Sequence, residues 1–278
     1  MPARTPDGPP PAPVAQRLRV RFAKRGRLRF LSHRDVARAF ERAIRRAGLP
    51  IAFSAGFTPH PKVSWLGAAP TGAASLAEYV EIGLAEPRDP VQVRADLDAS
   101  LPPGLDVLEC APASGGSLAD RVDASLWEIR LPAGSGVGAA AALARFLDLD
   151  RCEVERRTKD GQRQLDARSA VVHALVTPAG SASPGAWTGG SPGAGAERDC
   201  AILTCVVRHT TPAVRSDDVL AALRVAAGFE VAASLATRVA QGRWEGGDVI
   251  ADPLAPDVFA AGWGPSAVAG CGTATVGV

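Results

Sequence analysis

The sequence predicts an α+β protein made of two tandem ferredoxin-like sandwiches, each ordered βαββαβ with an antiparallel sheet, between disordered termini. Three observations predict it. Leu18, Val20 and Phe22 alternate with Arg17, Arg19 and Arg21, the period of a half-buried strand. Val36, Ala39, Phe40, Ala43, Ile44 and Ala47 then recur at three- and four-residue spacing, which gives a helix one apolar face. A similar succession of strand and helix patterns returns after residue 124.

Each element has its own signal. Residues 1–16 are Pro-rich and read as a disordered tail. Gly26 breaks the first strand, and Ser32 is placed to cap the helix with Asp35 as its partner in the first turn. Gly48 closes that helix and Pro50 prevents its continuation. Ile51–Ser54 reads as a short strand, 56–62 as a loop ordered by two prolines, and Val63–Leu66 and Leu76–Leu84 as strands. Asp89-Pro90 opens a helix to Leu101, and Leu105–Cys110 completes a basic ferredoxin-like domain over 17–112.

The second domain is read over 124–243. It has strands at 126–131, 152–157, 200–208 and 231–239, helices at 136–147 and 217–227 (capped by Ser216), and a hairpin turn at Lys159-Asp160-Gly161. Residues 163–174 read as a further extension, with an irregular turn around Asp166. A flexible insertion is expected at about 177–197, where Gly, Ser, Pro and Ala dominate, and residues 244–278 read as a loosely ordered tail.

At 278 residues and 46% hydrophobic, the chain can build two cores. Aromatics are only 5%, so stacking platforms are few. The net charge of +2 is unevenly distributed. Residues 17–62 hold 13 basic residues and two acids, whereas residues 63–278 hold 17 basic and 26 acidic ones. That polarity points to a polyanionic partner for the first segment. Five cysteines form no CxxC pair, which disfavours zinc and iron–sulfur binding. No secretory or membrane-spanning apolar run occurs, so a cytoplasmic protein without a membrane partner, its thiols reduced, is expected.

The candidate phosphate-binding residues are Arg27, Arg29, His33, Arg34, Arg38, Arg42, His60 and Lys62. They surround a helix start, whose free N–H groups attract anions. Plainer readings compete. Ser32 and Asp35 serve the cap, His33 and His60 are open between ligand contact and local bonding, and Arg38, Arg42 and Arg45 equally fit a solvated face. Phe57 reads as a core anchor before a base-stacking platform. A second basic patch comprises Arg156, Arg157, Lys159 and Arg163 around the hairpin tip, and it competes with a charge-protected sheet edge. His173 and His209 are isolated and carry no functional reading. Cys200 and Cys205 fall on opposite strand faces, against a shared metal.

The segments Arg-Leu-Arg-Phe-Leu-Ser-His-Arg-Asp (27–35), Phe40 to Pro50, and Phe53-Ser-Ala-Gly-Phe-Thr-Pro-His-Pro-Lys62 together resemble the signature of a radical-SAM-linked bacterial family of unknown function. Glu78-Tyr79 and Arg156 to Gly161 fit its later part, and the resemblance covers about residues 17–240. It implies a partnership with a cobalamin-binding-type radical-SAM protein, fused or encoded nearby, and a link to RNA metabolism. It implies no cofactor in this chain. The cluster-ligand pattern CxxxCxxC does not occur here, so the iron–sulfur cluster and S-adenosylmethionine belong to the partner.

The reading that follows is an RNA-binding accessory partner acting in tRNA or rRNA modification or processing, and more a non-catalytic subunit than an enzyme. Two alternatives stand beside it. One is a metal-independent RNA-processing enzyme with His33 and His60 as general base and acid. The other is a protein–protein adaptor without RNA contact.

Overall fold

Strand β1 (Gln16–Lys24) shows the predicted alternation: Leu18, Val20 and Phe22 turn to one face and are fully buried. It belongs to a computed structural model that describes residues 11–158, 161–178, 200–231 and 233–262. The protein is a mixed α+β chain of two units, the first comprising Met1–Ala119 with Leu254–Trp263 and the second built on Asp120–Pro253.

In the first unit β1 is followed by α1 (His33–Arg46), β2 (Val63–Leu66), β3 (Ala74–Leu84), α2 (Pro90–Ser100) and β4 (Leu105–Pro112). All its pairings are antiparallel, in the order β4-β1-β3-β2. Leu18 lies opposite Ile82 and Val20 opposite Val80, so both strands turn the same apolar face to the helices. Val36, Phe40, Ala43 and Ile44 of α1, with Val93 and Leu97 of α2, cover that face. Phe22, Phe40 and Trp65 meet at its centre, with ring centroids 4.6–6.1 Å apart.

The local signals for α1 act as their chemistry predicts. The Ser32 hydroxyl accepts the Asp35 N–H at 3.3 Å and donates to the Asp35 carboxylate at 2.6 Å. Gly48, at φ +62°, ends the helix, and the Leu49 N–H turns back to the Ile44 carbonyl. Asp89 caps α2 by accepting the Val91 N–H at 3.1 Å.

The second unit contains β5 (Ala124–Leu131), α3 (Gly136–Leu147), β6 (Glu153–Thr158), β7 (Gly161–Asp166), α4 (Ala167–Ala170), β8 (Val171–Pro178), β9 (Ala201–Arg208), α5 (Ser216–Ala227), β10 (Leu235–Gly246) and β11 (Val249–Ala251). Its main sheet runs β10-β5-β9-β8, antiparallel throughout, with β11 paired to β10. β6 and β7 pair only with each other, as a separate two-stranded sheet. Trp127, Ile129, Leu203 and Cys205 form a buried core with Leu143 and Phe146 of α3 and Val219 and Leu223 of α5.

Several expectations are corrected. Ala15 donates to the Leu84 carbonyl and Gln16 already pairs with Leu84, so ordered backbone begins inside the expected N-terminal tail; residues 1–10 lie outside the described ones. Ile51–Ser54 is no strand, only two isolated bridges, Ile51 to Leu84 and Phe53 to Pro61. The turn expected around Asp166 within 163–174 is the short helix α4, which separates β7 from β8. Asp166 starts α4 by accepting the Arg168 N–H, which turns the chain into the main sheet.

At α5 the N-cap is Arg215, not Ser216, because the Asp218 carboxylate accepts the Arg215 N–H at 2.7 Å. The last long strand starts at Leu235 rather than Val231: Leu235 pairs with Arg130, one residue from the end of β5 at Leu131. The segment 244–262, expected to be loosely ordered, carries the end of β10, β11 and α6 (Ala255–Ala260), the last within the first unit. Its anchor is Asp257, fully buried against Arg19, a pairing 238 residues apart in sequence. Residues 263–278 and nearly all of the expected insertion (179–199) fall outside the described residues.

Candidate nucleic-acid interface

The basic segment divides into two chemically distinct sets. On β1, and at Arg25 just beyond it, the cations find partners within the unit, Arg17 while remaining exposed. Arg17 and Arg19 bond Glu81, Arg19 also bonds Asp257, Arg21 pairs with Glu109, and Arg25 pairs with Asp106. Lys24 donates to the Ala69 and Pro70 carbonyls. A strand side chain turned into a folded unit must find a counter-charge or an acceptor, because burying it unpaired is costly.

The cations of α1 differ. Arg34, Arg38, Arg42 and Arg45 are exposed, and at about 100° per residue they fall within an arc of about 80°. Along the axis, Arg34 to Arg45 covers about 17 Å. Among the described residues Arg34, Arg42 and Arg45 have no ion pair. Arg38 reaches Asp35 only at 3.9 Å between exposed side chains, a contact worth little. Two acids, Glu41 and Asp35, flank this ridge, each about 20° outside the arc. Arg46, by contrast, donates to the Ser100 carbonyl at 2.7 Å.

The ends of α1 carry the other predicted residues. Arg27 is exposed in a 3₁₀ turn, Gly26–Phe30, that precedes the helix. Arg29 lies over the Phe30 ring, 4.5 Å from its centroid. His33, the first helical residue, is exposed and meets Trp65 edge-on at 5.4 Å. Hydrogen bonding by Ser32 holds the Asp35 carboxyl below its ordinary value of 3.8, so this acid is ionised beside the ridge at neutral pH.

His60 and Lys62 belong to a closed loop. Its base is the Lys62 N–H to Ala52 carbonyl bond, with Gly83 bonding both strands of the base. The Ser54 N–H donates to the His60 carbonyl, and the His60 N–H donates to the Ser54 hydroxyl. This loop rises near Gly83, the end of β3 to which the chain returns after α1, whereas Trp65, the ring that His33 meets, pairs with Val80. Three strand residues separate those levels, about 10 Å. No hydrogen bond or ring contact joins His33 to His60 among the described residues. The arrangement offers two histidine-bearing ends joined by an arginine ridge.

Three aromatic side chains missed as surface features lie in the same segment. Phe57 is 70% exposed, Phe30 58% and Phe53 42%. Phe57 therefore does not anchor a core; it sits in a loop whose own backbone bonds define it. Only position relative to the helix pattern hinted at this, since none of the three fits the apolar stripe of α1.

The second basic patch is weaker than its composition suggests. Arg156 pairs with Asp218 at 2.8 Å and donates to the Ala213 carbonyl. Arg157 and Arg163 are exposed on the β6–β7 hairpin, while Lys159 lies outside the described residues. His209, read as isolated, shares a 2.8 Å hydrogen bond with the buried Ser125 hydroxyl. Burial pushes the Cys110 and Cys205 thiols up to about 12, which leaves them inert. No three His, Cys, Asp or Glu side chains cluster to hold a metal among the described residues, and no described helix is long and apolar enough to cross a membrane. A cleft of about 380 Å³ in the first unit includes Arg17 and Arg19, but Glu81 pairs with both and Asp257 supplies Arg19 a second counter-charge.

Fold and surface together define an α+β protein with an exposed arginine ridge on its first helix. The chain belongs to a family described as uncharacterized and conserved in bacteria, DUF2344, whose profile matches residues 17–216. No curated protein matches it.

Proposed function

We propose that this chain is an RNA-binding accessory subunit of a radical-SAM enzyme, acting in the cytoplasm on tRNA or rRNA modification or processing. Both units are read as ferredoxin-like sandwiches, supported by the shared strand orders β4-β1-β3-β2 and β10-β5-β9-β8. The radical-SAM partner rests on the sequence resemblance over 27–62, and the cluster and S-adenosylmethionine are assigned to that partner. Arg27, Arg29, Arg34, Arg38, Arg42 and Lys62 contact phosphates, and His33 and His60 touch bases or sugars.

The observation that carries RNA binding is the sorting of cations. Each basic side chain of β1 has an acid or carbonyl partner within the unit, whereas Arg34, Arg42 and Arg45 of α1 face water on one ridge with no ion pair among the described residues. Such a ridge binds a polyanion by releasing its counterions.

A salt titration of binding to a single-stranded RNA tests this. With four or five phosphates neutralised, the slope of log K against log salt is about −3. Arg34→Ala/Arg38→Ala/Arg42→Ala flattens it by about 2. Absence of affinity at low salt, or a triple variant that binds like the wild type, rejects the proposal. Nuclease-insensitive association with a radical-SAM protein, with no RNA affinity, would identify an adaptor instead.

A further inference from the structure

We infer that the RNA bound by this surface is single-stranded, with unpaired bases stacking on Phe30, Phe53 and Phe57 while the α1 ridge follows the backbone. The inference rests on the RNA-binding reading above and specifies its substrate. Of the four phenylalanines between residues 27 and 62, only Phe40 enters the core. The other three are exposed in the same stretch that carries the unpaired guanidiniums, in a chain with only eight phenylalanines.

Isolated exposed apolar residues are common on protein surfaces. These three are distinguished by where they are held. Phe30 sits in the turn that leads into α1, under the Arg29 guanidinium. Phe57 belongs to the loop closed by the Ser54–His60 bonds and Phe53 bridges Pro61 at its base, so the ridge has aromatic rings on the segments before and after it in the chain. A cationic track with aromatic platforms is the chemistry that binds single strands, because every base offers a π-face. An RNA duplex hides those faces in its stack and presents a major groove too deep and narrow for side chains to read.

The full chain would be titrated at one low salt concentration with three probes: a 12-nucleotide oligoadenylate, a 12-base-pair RNA duplex and inorganic polyphosphate. Oligoadenylate is expected to bind at least about tenfold more tightly than either other probe. Phe30→Ala and Phe57→Ala should each weaken it by about tenfold and leave duplex and polyphosphate binding within about twofold. Phe57→Trp, which restores a ring, should recover oligoadenylate affinity. Because both positions are exposed, circular dichroism of the variants should match the wild type.

Equal affinity for oligoadenylate and duplex, or alanine variants that keep oligoadenylate affinity, overturns this inference. If those equal affinities still fall in Arg34→Ala/Arg38→Ala/Arg42→Ala, backbone binding survives and only the stacking fails. If no RNA probe binds, the RNA-binding reading itself is lost.

Discussion

Replacing Asp257 by alanine should destabilise the first unit, although the residue stands 238 positions from its main partner. Asp257 is fully buried and accepts Arg19 Nη1 at 3.0 and 3.1 Å, with Arg19 itself 2% exposed. The same carboxylate accepts the Ser114 N–H and hydroxyl, both at 2.7 Å. Removing one partner of a buried pair costs about 3–5 kcal/mol, because the surviving charge is left in a poor solvent. Arg19 keeps Glu81 at 3.0 Å, so the lower end, about 3 kcal/mol, applies. With a urea m-value of roughly 2 kcal/mol/M, the midpoint of the first unit's transition falls by about 1.5 M. Hydrogen exchange of the β1 amides reports which unit unfolds. Asp257→Asn retains an acceptor and should lose less, whereas Arg19→Met/Asp257→Leu, which removes both charges, should recover much of the loss. A loss below about 1 kcal/mol in Asp257→Ala would refute the claim that this pair fastens α6 to the unit.

Two further perturbations bear on the second unit. A Cβ at Gly242 would lie 1.8 Å from the Ala251 carbonyl oxygen, so Gly242→Ala must push β11 off β10, costing about 1–3 kcal/mol with loss of exchange protection at Arg243 and Ala251. His209 is held below its ordinary pKa of 6.5 by burial of its ring and by the Arg238 charge, although the residue is partly exposed. A depressed histidine makes the unfolded state bind more protons, so stability is present above about 6.5 and falls as the pH drops through the folded value. Thermal melts from pH 7.5 to 5 should show that decline, and His209→Gln should flatten it; an unchanged slope in the variant would remove His209 as its source.

Much of the first unit was legible in local sequence. The alternation at Leu18, Val20 and Phe22, the Ser32–Asp35 cap, the Gly48 stop and the Asp89-Pro90 start each act within a few residues, and each directs the backbone as its chemistry predicts. The start of the 231–239 strand was misplaced for the opposite reason. Val231 has the propensity of a strand residue, but a strand exists only where a neighbour supplies hydrogen bonds, and Leu235 pairs with Arg130, one residue from the end of β5. Arg156 was misjudged likewise: its local charge run says nothing of Asp218, 62 residues onward.

The sequence alone determined that cations crowd into residues 17–62 and that one helix there carries arginines opposite an apolar stripe. Periodicity and composition are properties of neighbours in the chain. Only the tertiary structure decided which cations are paired and which are not, since Glu81, Glu109, Asp106 and Asp257 reach Arg17, Arg19, Arg21 and Arg25 and Lys24 finds carbonyls, while no acid reaches Arg34, Arg42 or Arg45 among the described residues. It also decided that Phe57 faces water. Counter-charges and burial are set by what folding brings near, and Coulomb attraction and desolvation depend on distance in space.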